Sequence, residues 1–148
     1  LQLYRPATGR PQQPLTNPMN ARTSAQHYRQ TAVSSAVLDA SPHRLVSLML
    51  AGVRERLRLA SACIEIGDLP RKGQAISEAS LIIGQLDGSL DHAAGGEIAD
   101  GLAALYDYSQ RRLTEANVNN DVAVVQEVDG LIADIEAAWQ QIDPERGR

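Results

Sequence analysis

Two stretches of this chain repeat their apolar residues at alternating intervals of three and four. Ile76, Ala79, Ile83, Leu86 and Leu90 form one series, and Val125, Val128, Ile132, Ile135, Trp139 and Ile142 form the other. Such spacing places every member on one face of an α-helix and does not fit the two-residue period of a strand. The face is narrow, as in helices that pack at shallow angles along a shared seam. A chain built on these seams is expected to be an all-α bundle.

Helix punctuation brings the count to four. Ser41-Pro42 reads as a helix start, because a serine side chain accepts a bond from an unpaired backbone N–H and proline at the first helical position has no N–H to leave unpaired. That helix is expected to run to about Ile66 on the stripe Leu45, Met49, Val53, Leu57, Ala60 and Ile64, with Gly67 ending it. Asp68 caps the second helix. The flexible pair Gly95-Gly96 is read as a tight connection, with the third helix beginning at Glu97 and presenting Ile98, Leu102, Leu105, Ser109, Arg112 or Leu113, and Ala116. Asn119-Asn120-Asp121 starts the fourth helix, and Pro144 stops it. Short connections imply antiparallel neighbours, hence an antiparallel four-helix bundle.

Ahead of it, Ala21 to Leu38 is weakly helical and is read as an additional N-terminal helix or arm. Residues 1–18 carry Pro6, Pro11, Pro14 and Pro18 among polar residues, so they are expected to be a disordered leader or non-native extension. Residues 19–148 are expected to form the single domain, since 148 residues suit one core.

Charge and composition narrow the function. A net charge of −4 gives no basic surface for nucleic acid. No run approaches a membrane span, and a single cysteine, Cys63, fits a buried apolar role in a reducing compartment, so the expected location is the cytosol. His27, His43 and His92 do not have the Glu-x-x-His spacing of carboxylate-bridged metal bundles, and no phosphate loop or nucleophile constellation is present. Neither a cofactor nor catalysis is expected. His43 and His92 read as ordinary surface residues. Tyr106 and Tyr108 point to different sides of their helix, so one should enter the bundle and the other stay outside. Gly101 lies mid-helix, at a cost of about 1 kcal/mol relative to alanine.

The apolar residues exceed what the seams use. Leu81 and Ile82, Val46, Leu48 and Leu50, and Val124 and Leu131 lie beside them. Each helix of a bundle touches two neighbours and needs a broad face, which accounts for some of this width. The alternative is an external groove for another amphipathic helix.

Gly95-Gly96-Glu97-Ile98-Ala99, Leu105-Tyr106-Asp107-Tyr108 and Arg111-Arg112-Leu113-x-x-Ala116-Asn117 resemble the signature of the flagellar secretion chaperone family, FliS. Tyr28, Ala40-Ser41-Pro42-x-x-Leu45, Asp121, Glu127-Val128 and Trp139 agree with it. The resemblance implies a chaperone that binds the C-terminal segment of flagellin, prevents premature polymerisation and keeps it competent for type III export. It implies the export gate of the flagellar secretion apparatus and flagellar regulators as further partners. It also implies that the arm caps the groove through Tyr28. The candidate groove then comprises Tyr28, Val33, Val37, Val46, Met49, Leu50, Val53, Leu81, Ile82, Tyr106, Val124 and Leu131. A histidine phosphotransfer bundle and a generic helical adaptor are the rival readings.

Overall fold

The computed structural model describes residues 2–6 and 40–144. Most of the leader and the whole of the weakly helical segment, with Tyr28, Val33 and Val37, lie outside the described residues. Four helices follow in order: α1 (Pro42–Ile66), α2 (Leu69–Gly88), α3 (His92–Asn119) and α4 (Val122–Gln141). They pack as an all-α bundle in which α1 and α3 occupy opposite corners, each against α2 and α4. The start of α1 meets the end of α4 and the start of α2 meets the end of α3, so these neighbours run antiparallel.

The caps follow the sequence. Ser41 Oγ accepts from the Arg44 N–H at 3.1 Å, and Gly67 ends α1 at φ 77°. Asp68 accepts from Arg71 N–H, and Asp121 from the N–H groups of Ala123 and Val124. Side-chain oxygens thus satisfy donors that a helix start leaves unpaired. At the other end of α3, Lys72 Nζ donates to Asn117 O at 2.9 Å and to Asn120 Oδ1 at 2.6 Å.

The expected start of α3 is corrected. Asp91, not the glycine pair, opens the helix by accepting from Ala94 N–H at 3.0 Å. The first turn then breaks at Gly96, whose φ of 50° and ψ of −129° are readily reached only without a Cβ. Gly95 serves a different purpose. A Cβ there would stand 2.8 Å from the Ala99 Cβ and 2.9 Å from Leu3 Cδ2.

Two seams are also rotated from their expected phase. On α1 the buried series is Val46, Leu50, Val53, Leu57, Ala60 and Cys63, so Leu45, Met49 and Ile64 flank the core. On α3 it is Gly95, Ala99, Tyr106, Ser109, Leu113 and Ala116, with Leu102 half-buried, while Ile98 and Leu105 stay exposed. Apolar side chains on both flanks of a stripe let either phase satisfy a three-four spacing, and the position of the neighbouring helices decides.

The glycines of α3 separate two backbone roles. Gly96→Ala should destabilise the fold by about 1–3 kcal/mol, because alanine resists that conformation. Gly101→Ala meets open space in a helix interior and should stabilise it by about 1 kcal/mol. Urea unfolding of both variants measures the two signs.

Candidate functional site

The small residues Gly95 and Ala99 occupy the centre of the α3 seam, so the larger side chains are displaced to its flanks. Ile98 and Leu105 lie seven residues apart on one flank, at 53% and 38% exposure. With Leu102, they face Leu131, Ile135, Ala138, Trp139 and Ile142 of α4 and its end across an apolar groove of about 450 Å³. Leu50 lies at its base.

One helical turn further along α3, the groove gives way to polar contacts. Arg112 donates to Glu127 at 3.0 Å and to Glu115 at 2.6 Å, and the Tyr108 hydroxyl donates to Glu127 at 2.5 Å. The hydrogen bonds from Arg112 first and Tyr108 second hold the Glu127 carboxyl below the usual carboxylate range. Charged groups thus cross from α3 to α4 where the apolar lining stops.

A second, shallower groove of about 600 Å³ lies between α2 and α3. Ile76, Leu81 and Gly84 face Thr114, Asn117 and Val118, with the large apolar Leu81 and Val118 exposed at 67% and 76%. Gln110 Nε2 donates to Ser80 O at 2.8 Å, tying the two walls together.

Residues 2–6 reach the head of the α3–α4 groove, although the leader was expected to be disordered. Tyr4 pairs with Leu90 in an isolated antiparallel bridge: the Arg5 N–H donates to Ser89 O, and the Asp91 N–H to Leu3 O, each at 2.6 Å. Leu3 is 4% exposed and sits over Gly95. The Tyr4 hydroxyl meets that of the fully buried Tyr106 at 2.5 Å. Burial first, then the charge and hydrogen bonding of Tyr4 and the charge of Asp87, push the Tyr106 phenol above its ordinary range. Burial also raises Tyr4, against the opposing effect of its bond to Tyr106.

Trp139 closes the same end. Its indole N–H donates to His43 O at 2.9 Å, its ring stacks on His43 at 4.5 Å, and Tyr4 meets it edge-on at 5.4 Å. His43 Nε2 donates a hydrogen bond to Trp139 O at 2.8 Å. His43 is therefore a partly buried joint between α1 and α4, not the ordinary surface residue that its place in a first turn suggested. His92 is exposed beside Asp100, and His27 lies outside the described residues. Among the described residues no cluster of His, Cys, Asp and Glu could hold a metal, and no helix is long and apolar enough to cross a membrane.

The candidate groove residues separate into three groups. Tyr28, Val33 and Val37 lie outside the described residues. Val46, Leu50, Val53, Tyr106 and Val124 are buried in the bundle's own core, with Leu50 alone lining the groove from below and Val46 bordering a smaller cavity beside residues 2–6. Leu131 lines the α3–α4 groove and Leu81 the α2–α3 groove, while Met49 and Ile82 pack half-buried against the core. Ile98, Leu102, Leu105, Trp139 and Ile142 were assigned to seams and are groove walls instead. The small Gly95 and Ala99, four residues apart, are the sequence signal for that rotation.

A family model described as flagellar protein FliS matches residues 24–146 of this chain. The flagellar secretion chaperone FliS of Salmonella typhimurium is 43% identical over 127 residues, covering 85% of this chain and 94% of the relative. The flagellar secretion chaperone FliSB of Pseudomonas aeruginosa is 40% identical over 124 residues, covering 84% and 98%. FliS of Bacillus subtilis is 35% identical over 114 residues, covering 77% and 81%.

The tyrosine pair gives the fold an alkaline limit. An unfolded chain releases the Tyr106 proton near pH 10, the ordinary tyrosine value, whereas the fold retains it. Stability should therefore fall as pH rises above that point, by up to about 1.4 kcal/mol per pH unit for this group. Urea unfolding at pH 8 and above pH 10 should show a shallower loss in Tyr106→Phe than in the parent chain.

Proposed function

This chain belongs to the FliS family of flagellar secretion chaperones, and we propose that its client is the C-terminal segment of flagellin, received by the α3–α4 groove. The observation that carries this reading is the row Ile98, Leu102 and Leu105, turned away from the centre of the bundle to face Leu131, Ile135 and Trp139. Such a row suits an amphipathic helix laid along the groove with its apolar side chains inward. The α2–α3 groove, with Leu81 and Val118, offers a second station to a client long enough to pass around α3.

A flagellin terminus with an apolar helix-forming seam would otherwise pair with its own kind. Burial against the chaperone removes that seam from water and from other subunits, and needs no covalent step. A client that orders on binding loses conformational entropy, so the interface must be large for its affinity. Covering two grooves supplies that area. In this reading the complex forms in the cytosol and is passed to the export gate, and binding of flagellar regulators uses the same apolar surfaces.

Calorimetric titration of the full chain with the flagellin C-terminal segment should show one-to-one binding with a negative heat-capacity change. Ile98→Asp combined with Leu105→Asp should weaken binding at least about tenfold, or about 1.4 kcal/mol, with helix content unchanged. Leu81→Asp combined with Val118→Asp tests the second station in the same way. Equal affinity in the parent and the Ile98/Leu105 variant would remove the α3–α4 groove from the reading.

A further inference from the structure

The acidic residues of α4 are Glu127, Asp129, Asp134 and Glu136, and the helix carries no lysine or arginine of its own. Three of them find a cation on another helix. Arg112 of α3 holds Glu127, and Arg54 of α1 holds both Asp129 and Glu136. Asp134 has no hydrogen-bond or ion-pair partner among the described residues. It is also placed differently. Asp134 is exposed and supplies the only charge among the described residues that line the α3–α4 groove, between Leu131 and Ala138 on the α4 wall.

In the open groove, water solvates this carboxylate. A helix laid over Ile98, Leu102 and Leu131 displaces part of that water, and the carboxylate then needs a charged or hydrogen-bonding replacement. We propose that Asp134 receives an arginine or lysine of the client, and that this pair fixes the register and direction in which the client helix lies. This rests on reading the groove as the client site.

Apolar contact alone leaves the register open. Ile98, Leu102 and Leu105 recur at four and three residues, so a client seam shifted by one turn meets much the same row. A single polar position within an apolar seam removes that degeneracy, because only one alignment satisfies it. Since Asp134 is exposed, the client's basic residue stands at the edge of its apolar seam, about one turn from an anchor that meets Leu131. A client with an acidic residue there meets like charge, and one that is apolar there leaves the carboxylate covered and unpaired. Both are discriminated against.

The test uses the full chain, its Asp134→Asn and Asp134→Arg variants, and the flagellin C-terminal segment as the probe, with circular dichroism to check that helix content is equal. At about 0.1 M salt, Asp134→Asn should weaken binding about three- to tenfold and Asp134→Arg by at least about tenfold. Both differences should shrink at about 1 M salt, where the screening length falls to ~3 Å. Changing each arginine and lysine of the flagellin segment in turn to glutamate should identify one position whose loss of affinity is recovered with Asp134→Arg. Equal affinity in all three chains, or a loss in Asp134→Arg that no charge-reversed segment recovers, would overturn the proposal and leave the groove as the client site. Absence of binding to the parent chain would overturn the flagellin reading and this proposal together.

Discussion

Every helix in a four-helix bundle must divide its apolar residues between the centre and two flanks, and α3 places small ones at the head of its central row. Gly95, Ala99, Ser109 and Ala116 share it with Tyr106 and Leu113. The flank residues Ile98 and Leu105 cannot reach the core, so they become the wall of a groove. On the opposite corner α1 does the reverse, burying Val46, Leu50, Val53 and Leu57 at the centre. It packs extensively on α2 and α4, while α3 is held more lightly by both. Local stability follows the density of buried contacts, so α3 is the helix best placed to adjust when a groove is filled.

The architecture was legible because local and global signals agreed. Ser41, Gly67, Asp68 and Asp121 mark helix ends by hydrogen-bonding chemistry, which does not depend on distant contacts. The seam of α2 was equally plain: Ile76, Ala79, Ile83 and Leu86 are buried. The paired tyrosines also separated as their angular spacing required, with Tyr106 buried and Tyr108 exposed.

What the sequence hid was phase. Glycine and alanine give little apolar signal, so a reading weighted by hydrophobicity assigned Ile98 and Leu105 to the seam and overlooked Gly95 and Ala99. The same error on α1 placed Val46 and Leu50 beside the core when they form it. A contact far apart in sequence was equally invisible: nothing local to Leu3 and Tyr4 indicates that Leu90, Gly95 and Tyr106 lie beside them. His43 was read from its first-turn position alone, without the stacking and two hydrogen bonds that Trp139 supplies.

The charged residues account for where the grooves stop. Arg54 donates to Asp129 and Glu136 on α4, and Arg56 pairs with Glu78 on α2. Arg112 does the same for α3 and α4 through Glu127. Exposed ion pairs contribute little stability, but their geometry matters here because each spans two helices. They hold neighbouring helices in register beside the apolar stretches without entering them. The α3–α4 groove consequently has a polar limit at Arg112 and an aromatic one at Trp139, and a segment lying along it must place its apolar residues between those limits. An amphipathic helix with a short apolar run satisfies that condition, whereas a uniformly apolar one would set uncompensated surface against Arg112 and Glu127.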